Sequence, residues 1–145
     1  DNKVYCEKIM FVKENQVTPI HFHWKKMEDI INRGGGDLCM KLWKADENEQ
    51  LTQEDVVMQI DGISTMIKAG EVLRLKPGQS ISFTPYVYHT FWAENGDCMV
   101  GEVSTVNDDA NDNRFYEETG RFPEILEDEP VRYVLCTEYP ENVAL

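Results

Sequence analysis

The sequence predicts an all-β fold, an antiparallel sandwich or barrel of jelly-roll type, built as one domain over residues 1–145. Three observations lead there. Short runs rich in β-branched and aromatic residues recur along the chain. Glycine, proline and asparagine turn signals separate them, and no long amphipathic helical period lies between them. A chain of 145 residues is also long enough to bury a core as a single domain.

Strands are expected in order at 3–12, 18–24, 37–43, 56–60, 63–67, 71–75, 80–83, 87–92, 97–104 and 131–137. Asp61-Gly62, between "VVMQI" and "ISTMI", is a hairpin signal, because both residues tolerate the positive φ of a tight primed turn. Gly34 to Gly36, Pro77-Gly78 and Asn95-Gly96 mark further turns. The glycine triplet is expected to make a tight reversal that returns "DLCMKLW" alongside the preceding segment. Residues 105–130 lack periodicity and are rich in Asp, Asn and Glu. They read as a long ordered loop, with room for one helical turn, leading to the last strand.

Fourteen basic against 27 acidic residues give a net charge of −13, which repels phosphate backbones and anionic lipid. Nucleic acid and membrane are therefore excluded as partners. No apolar run reaches the length of a membrane span, and the start does not resemble a signal peptide. Because the chain opens at Asp1 directly on the strand-like "KVYCEKIMFV", a piece of the native N-terminus is expected to be missing. Cys6, Cys39, Cys98 and Cys136 are far apart, each in an apolar run, and read as buried free thiols of a reducing cytoplasm.

Two of the three histidines, His21 and His23, stand two apart in "TPIHFHWKKMED", so on a strand they share a face. Glu28 follows five residues later, an odd offset that would place it on the other face of a straight strand. A bulge or turn in "WKKM" must return it. His89, in "TPYVYHTFWAE", supplies a third imidazole. His21, His23, Glu28 and His89 then form a metal site with open positions. It suits Mn²⁺, Fe²⁺, Co²⁺ or Ni²⁺, or Zn²⁺ in a smaller shell. A phosphate-binding loop at "RGGG" is excluded, since no Lys-Ser/Thr and no helix follow.

Asn15 to Gly35 resembles the first cupin motif, G-x5-H-x-H-x4-E-x6-G, with Asn15 in place of the first glycine. Gly78 to Ala93 resembles the second, G-x5-P-x-G-x2-H-x3-N, with Thr84, Tyr86 and Ala93 departing from it and His89 keeping its place. The strings "HFHWKKMEDIINRGGG", "HTFWAE", "GEVSTVNDDANDN" and "EDEP…EY" resemble D-lyxose isomerases of the longer bacterial type, over nearly the whole chain. This resemblance implies a cupin barrel, preceded in the family by an N-terminal helical segment. It also implies a Mn²⁺-dependent aldose–ketose isomerase that interconverts D-lyxose and D-xylulose, usually as a homodimer. D-Mannose shares the C2–C4 configuration of D-lyxose, so D-mannose and D-fructose are expected as a second pair.

Such an isomerase needs a Lewis acid on the sugar oxygens and a positioned base at C1/C2. Glu102 is the candidate base, because alternation puts it in phase with the apolar Cys98 and Val100. Lys26, inside the bend between His23 and Glu28, is a candidate to hold or polarise a sugar oxygen, or else a lysine snorkelling at the rim. Asp108, Asp109, Asp112 and Arg114 are expected either to close over the sugar hydroxyls or to form a solvated acidic loop. Trp24, Phe91 and Trp92 offer apolar faces to a sugar ring or to the core, and Glu124 to Glu129 reads as solvated surface.

The same ligands would serve an Fe²⁺ dioxygenase or a sugar-binding cupin without turnover. A phosphosugar isomerase would need a basic cluster near the site, and Lys25, Lys26, Arg33, Arg114 and Arg121 are the only nearby cations.

Overall fold

A computed structural model of the chain describes residues 3–106, 108, 111–118, 126, 128–130 and 132. Among these there are strands and turns and no helix. The strands are β1 (Tyr5–Val12), β2 (His21–Phe22), β3 (Glu28–Lys44), β4 (Val56–Ile60), β5 (Ile63–Ile67), β6 (Leu73–Leu75), β7 (Ser80–Phe83), β8 (Val87–Thr105) and β9 (Arg114–Phe115). They form one curled sheet in the order β5-β4-β7-β3-β8-β2-β9, with β1 added on β8 and β6 on β3. Every pairing of named strands is antiparallel.

The frame is the pair β3–β8, matched from Glu28↔Ser104 to Lys44↔Val87. The first part of β3 also pairs with β7, and the later part with β6. Likewise the late part of β8 pairs with β1, and its early part with β2. Each long strand thus belongs to both faces of the barrel. Their inward residues, among them Ile30, Leu38, Met40, Leu42, Ile81, Phe83, Phe91 and Val100, pack into one cluster. Each such side chain contributes about 1.5–3 kcal/mol on leaving water.

The expected reversal at Gly34–Gly36 is therefore corrected: the triplet bends one long strand instead of ending it. The expected turn at Asn95-Gly96 is corrected in the same way, and strands 87–92 and 97–104 merge into β8. The cause lies across the ladder. Register shifts at Asn32/Gly34 and Gly35/Asp37 sit opposite Glu94 to Met99, so both strands kink together. A Cβ on Gly35, at φ +97, would lie 2.0 Å from the Asp97 carbonyl oxygen. Only glycine lets the two backbones approach this closely.

Alternation marks the inner face of β1 clearly, with Cys6, Lys8, Met10 and Val12 turned inward and Tyr5, Glu7, Ile9 and Phe11 outward. Cys39 and Cys98 are buried free thiols, whereas Cys6 is only half-buried, at the open edge of β1. The fourth, Cys136, lies outside the described residues, as does the expected strand 131–137 apart from Arg132. The segment expected to be a loop carries β9, which pairs with β2.

Candidate metal centre

β2 turns His21 toward the barrel interior and Phe22 to the opposite face, where it is buried against Ala45 and Tyr88, and the chain bends at Trp24-Lys25 before β3 begins at Glu28. That bend supplies the phase change the H-x-H-x4-E spacing required. Asp112 holds it, taking the Lys25 amide on Oδ1 (3.0 Å) and the Lys26 amide on Oδ2 (2.9 Å). His89 sits on β8 directly opposite His21. Just before it, Tyr86 adopts φ 63 where the cupin pattern has glycine. This left-handed backbone is fixed by a bond from the Tyr86 amide to the His23 carbonyl (3.1 Å) and one from the Ala45 amide to the Tyr86 carbonyl (3.0 Å). Asn15, which also replaces a motif glycine, has φ 63 as well.

The ring nitrogens of His21, His23 and His89 converge, with their candidate ligand atoms all within 4.8 Å of one another. In each ring Nδ1 faces a backbone carbonyl: Pro19 at 2.8 Å for His21, Asp112 at 2.7 Å for His23, and Val87 at 3.1 Å for His89. Nδ1–H therefore donates outward in all three, and each Nε2 turns a lone pair inward. Glu28 Oε1 lies 3.4 Å from His23 Nε2 and 3.3 Å from His89 Nε2. Both Glu28 Oε1 and His23 Nε2 are buried without a hydrogen-bond partner. Lone pairs facing each other at this distance repel unless a cation lies between them. A divalent ion satisfies every one of these atoms, so the residues fit a metal.

Burial disfavours the charged form of two of these rings. Burial lowers the His21 pKa to about 3, with His89 adding to the effect, and burial lowers His89 too. Burial alone would raise the Glu28 carboxyl, but its neighbours, the Lys26 ammonium among them, hold it well below the usual carboxylate range. Lys26 is buried, not at the rim. Its Nζ lies 2.7 Å from Glu28 Oε2 and 3.0 Å from Glu102 Oε1. Burial would lower its pKa, yet Glu28 and then Glu102 raise it. Glu102 faces inward with Cys98 and Val100, all three buried. So the structure links Glu102 through Lys26 to the histidine cluster.

The acidic segment behaves differently. Asp112, expected either to close over sugar hydroxyls or to lie in a solvated acidic loop, is buried, with its carboxylate taken by the two backbone amides and its carbonyl by His23. Asp108 is exposed and caps the turn that leads to Asp112. Asp109 lies outside the described residues, as does Arg121. Arg114 is paired across the ladder with Phe22, the face opposite His21, and its Nε donates to Glu49 Oε2 (2.9 Å). This position turns it away from the imidazoles. Trp24 joins the same outer group, donating to Glu49 Oε1 (2.7 Å), while Phe91 is core. Trp92 lines an open cleft on the outer face of the sheet, beside Trp43 and Val17.

Three residues near the site escaped the sequence reading. Phe83 is cross-strand from Glu28 and packs on His89, ring centres 4.5 Å apart. Phe115 is paired with His21, at 5.6 Å between rings. Lys8 donates to Glu102 Oε1 at 3.0 Å. Phe83 and Lys8 were visible as the inward phase of "SISF" and "YCEKIMFV"; nothing in the sequence pairs Phe115 with β2.

A curled antiparallel barrel holding three imidazoles and a carboxylate on its inner wall defines a cupin-type candidate metal centre. The chain belongs to the D-lyxose isomerase family, whose model matches residues 1–139. It is 56% identical over 139 residues to a D-lyxose/D-mannose isomerase of Escherichia coli O157:H7, covering 94% of this chain and 61% of that protein. Against the D-lyxose/D-mannose isomerase of Serratia proteamaculans it is 54% identical over 144 residues, covering 98% and 63%. The chain thus spans under two thirds of either relative.

Among solved structures, an L-ribose isomerase from Cellulomonas parahominis superposes with a TM-score of 0.56 at 17% identity, covering 79% of this chain and 59% of that one. A cupin 2 domain-containing protein from Halorhodospira halophila gives 0.51 at 11% identity, covering 79% and 60%. At these identities the likeness concerns the fold.

Proposed function

We propose that this barrel is the catalytic part of a metal-dependent aldose–ketose isomerase. It would interconvert D-lyxose with D-xylulose, and D-mannose with D-fructose, by moving a proton between C2 and C1. One observation carries the reading beyond family membership: a buried carboxylate, Glu102, is tied by Lys26 to Glu28 of the histidine cluster. His21, His23, Glu28 and His89 would hold the ion, most simply Mn²⁺. When bound, it supplies Lewis acidity at the sugar's carbonyl and hydroxyl oxygens.

The remaining work falls to the chain. Glu28 is committed to the ligand set, which leaves Glu102 as the base. It takes the proton from C2 of the open-chain aldose and returns it to C1, while the hydroxyl proton passes from O2 to O1. Lys26, the ammonium between the two carboxylates, orients Glu102 and donates to a sugar oxygen as charge develops there. Phe83, packed on His89, keeps water from one side of the ring.

The partner is a free monosaccharide rather than nucleic acid or membrane, in keeping with the −13 charge. Homodimeric assembly and a cytoplasmic location complete the proposal. The reading is tested by stripping the chain of metal, reloading it with Mn²⁺, and scoring a panel of free aldoses for ketose. D-Lyxose and D-mannose are expected to turn over and the stripped chain to be inactive. Oxygen uptake in place of ketose would point to a dioxygenase.

A further inference from the structure

We infer that Lys8 is a positioning residue for Glu102: its ammonium holds in place the carboxylate that moves the proton while Lys26 attends to the sugar. The inference rests on the isomerase reading above and deepens it. It begins with backbone register, which sets Lys8 of β1 directly opposite Glu102 of β8. Lys8 is in phase with the inward Cys6, Met10 and Val12, so its side chain enters the barrel wall where a surface lysine would turn out. Its Nζ lies 3.0 Å from Glu102 Oε1, the same oxygen that Lys26 Nζ meets at 3.0 Å.

Two ammoniums on one oxygen orient the carboxylate and direct proton uptake to Oε2. They are not equivalent. The Lys26 side chain is 4% exposed and shared with Glu28 at 2.7 Å, so its charge is divided between two carboxylates. The Lys8 side chain is 36% exposed against 8% for Glu102. It reaches Glu102 from the solvent side, on the edge strand β1. When Lys26 turns to a sugar oxygen, Glu102 would become a buried carboxylate without a cation, a costly arrangement. Lys8 remains in place and prevents it.

The rival account makes Lys8 only a tie between the edge strand β1 and β8. The Mn²⁺-loaded chain and its Lys8→Met and Lys8→Arg variants separate the two, assayed on D-lyxose, with Mn²⁺ binding followed by calorimetry and thermal unfolding by circular dichroism. Lys8→Met should lower kcat about 10- to 100-fold, the worth of one charged hydrogen bond, and leave KM within about twofold. Mn²⁺ affinity should be unchanged, and Lys8→Arg should recover most of kcat. A wild-type kcat in Lys8→Met overturns the inference. So does a joint fall of kcat, metal affinity and melting temperature that Lys8→Arg does not repair. A wild-type chain that binds Mn²⁺ but forms no ketose from any aldose overturns the isomerase reading, and this inference with it.

Discussion

Asp112 gives the sharpest test of how the centre is held. Its two carboxylate oxygens accept the Lys25 and Lys26 amides, and its carbonyl accepts His23 Nδ1–H. Asp112→Ala removes the first two bonds and leaves the third, which is backbone. Each hydrogen bond to a charged partner is worth about 1.5–3 kcal/mol. Lys26 is buried, so its amide bears that loss in full. The exposed neighbour Lys25 regains part of its loss from water, so the sum is about 3 kcal/mol, a large share of an ordinary domain's stability. The bend should also relax, spreading Glu28 from the imidazoles and weakening Mn²⁺ binding. Urea unfolding of the metal-free chain reads the first effect and calorimetry the second. Asp112→Asn, which keeps one acceptor oxygen, should fall between. If Asp112→Ala unfolds at the wild-type urea concentration and instead raises KM for D-lyxose, the carboxylate serves the sugar and the clamp argument is wrong.

Other outcomes follow from the same geometry. His89→Ala should weaken Mn²⁺ binding by at least about 100-fold, more than loss of an outer partner costs, and abolish ketose formation together with it; retained metal in an inactive variant would contradict this. Glu102→Gln should keep metal affinity while kcat falls about 10²–10⁴-fold and solvent deuterium no longer enters the product; full activity would transfer the base role elsewhere. For pH, burial holds His21 near about 3 and depresses His89, both below the ordinary 6.5. Between those values the unfolded chain binds more protons than the folded one. Stability is therefore complete above about pH 6.5 and is lost at up to about 1.4 kcal/mol per unit for each histidine as pH falls. Urea midpoints of metal-free protein that stay flat from about pH 7 to 4.5 would show that these rings are not buried neutral.

Local physics made much of the barrel legible. The expected strands 56–60, 63–67 and 80–83 coincide with β4, β5 and β7, because alternation and turn chemistry decide them within a few residues. The Asp61-Gly62 hairpin shows the positive φ its residues suggested, 50 and 79. The odd offset of Glu28 was enough to demand a bend, and the bend is there. Readings failed where the deciding partner is remote in sequence. A glycine triplet taken alone looks like a reversal. Only the facing Asp97 carbonyl, 2.0 Å from a would-be Cβ on Gly35, makes it a kink in a continuous strand. Which side of β9 Arg114 takes was likewise hidden: only its pairing with Phe22 sets it on the face away from the histidines.

Lys8, Glu102, Lys26 and Glu28 alternate in sign, and the last three are buried within the barrel wall. Each buried ion sacrifices its hydration, and replacing such a network by packed apolar side chains is commonly neutral or stabilising. Stability alone thus gives no reason for charges at Lys8, Glu102 and Glu28, where the sheet period calls for leucine or valine, or for the buried Lys26 between them. A reaction that creates and discharges an oxyanion beside a movable proton does give one, since ammoniums held in place before the reaction need no reorganisation during it. The relay ends on Glu28, whose other oxygen is one of the unpartnered atoms of the metal centre. In the proposed reaction, proton transfer and ion binding would be coupled through Lys26, which bridges the two carboxylates.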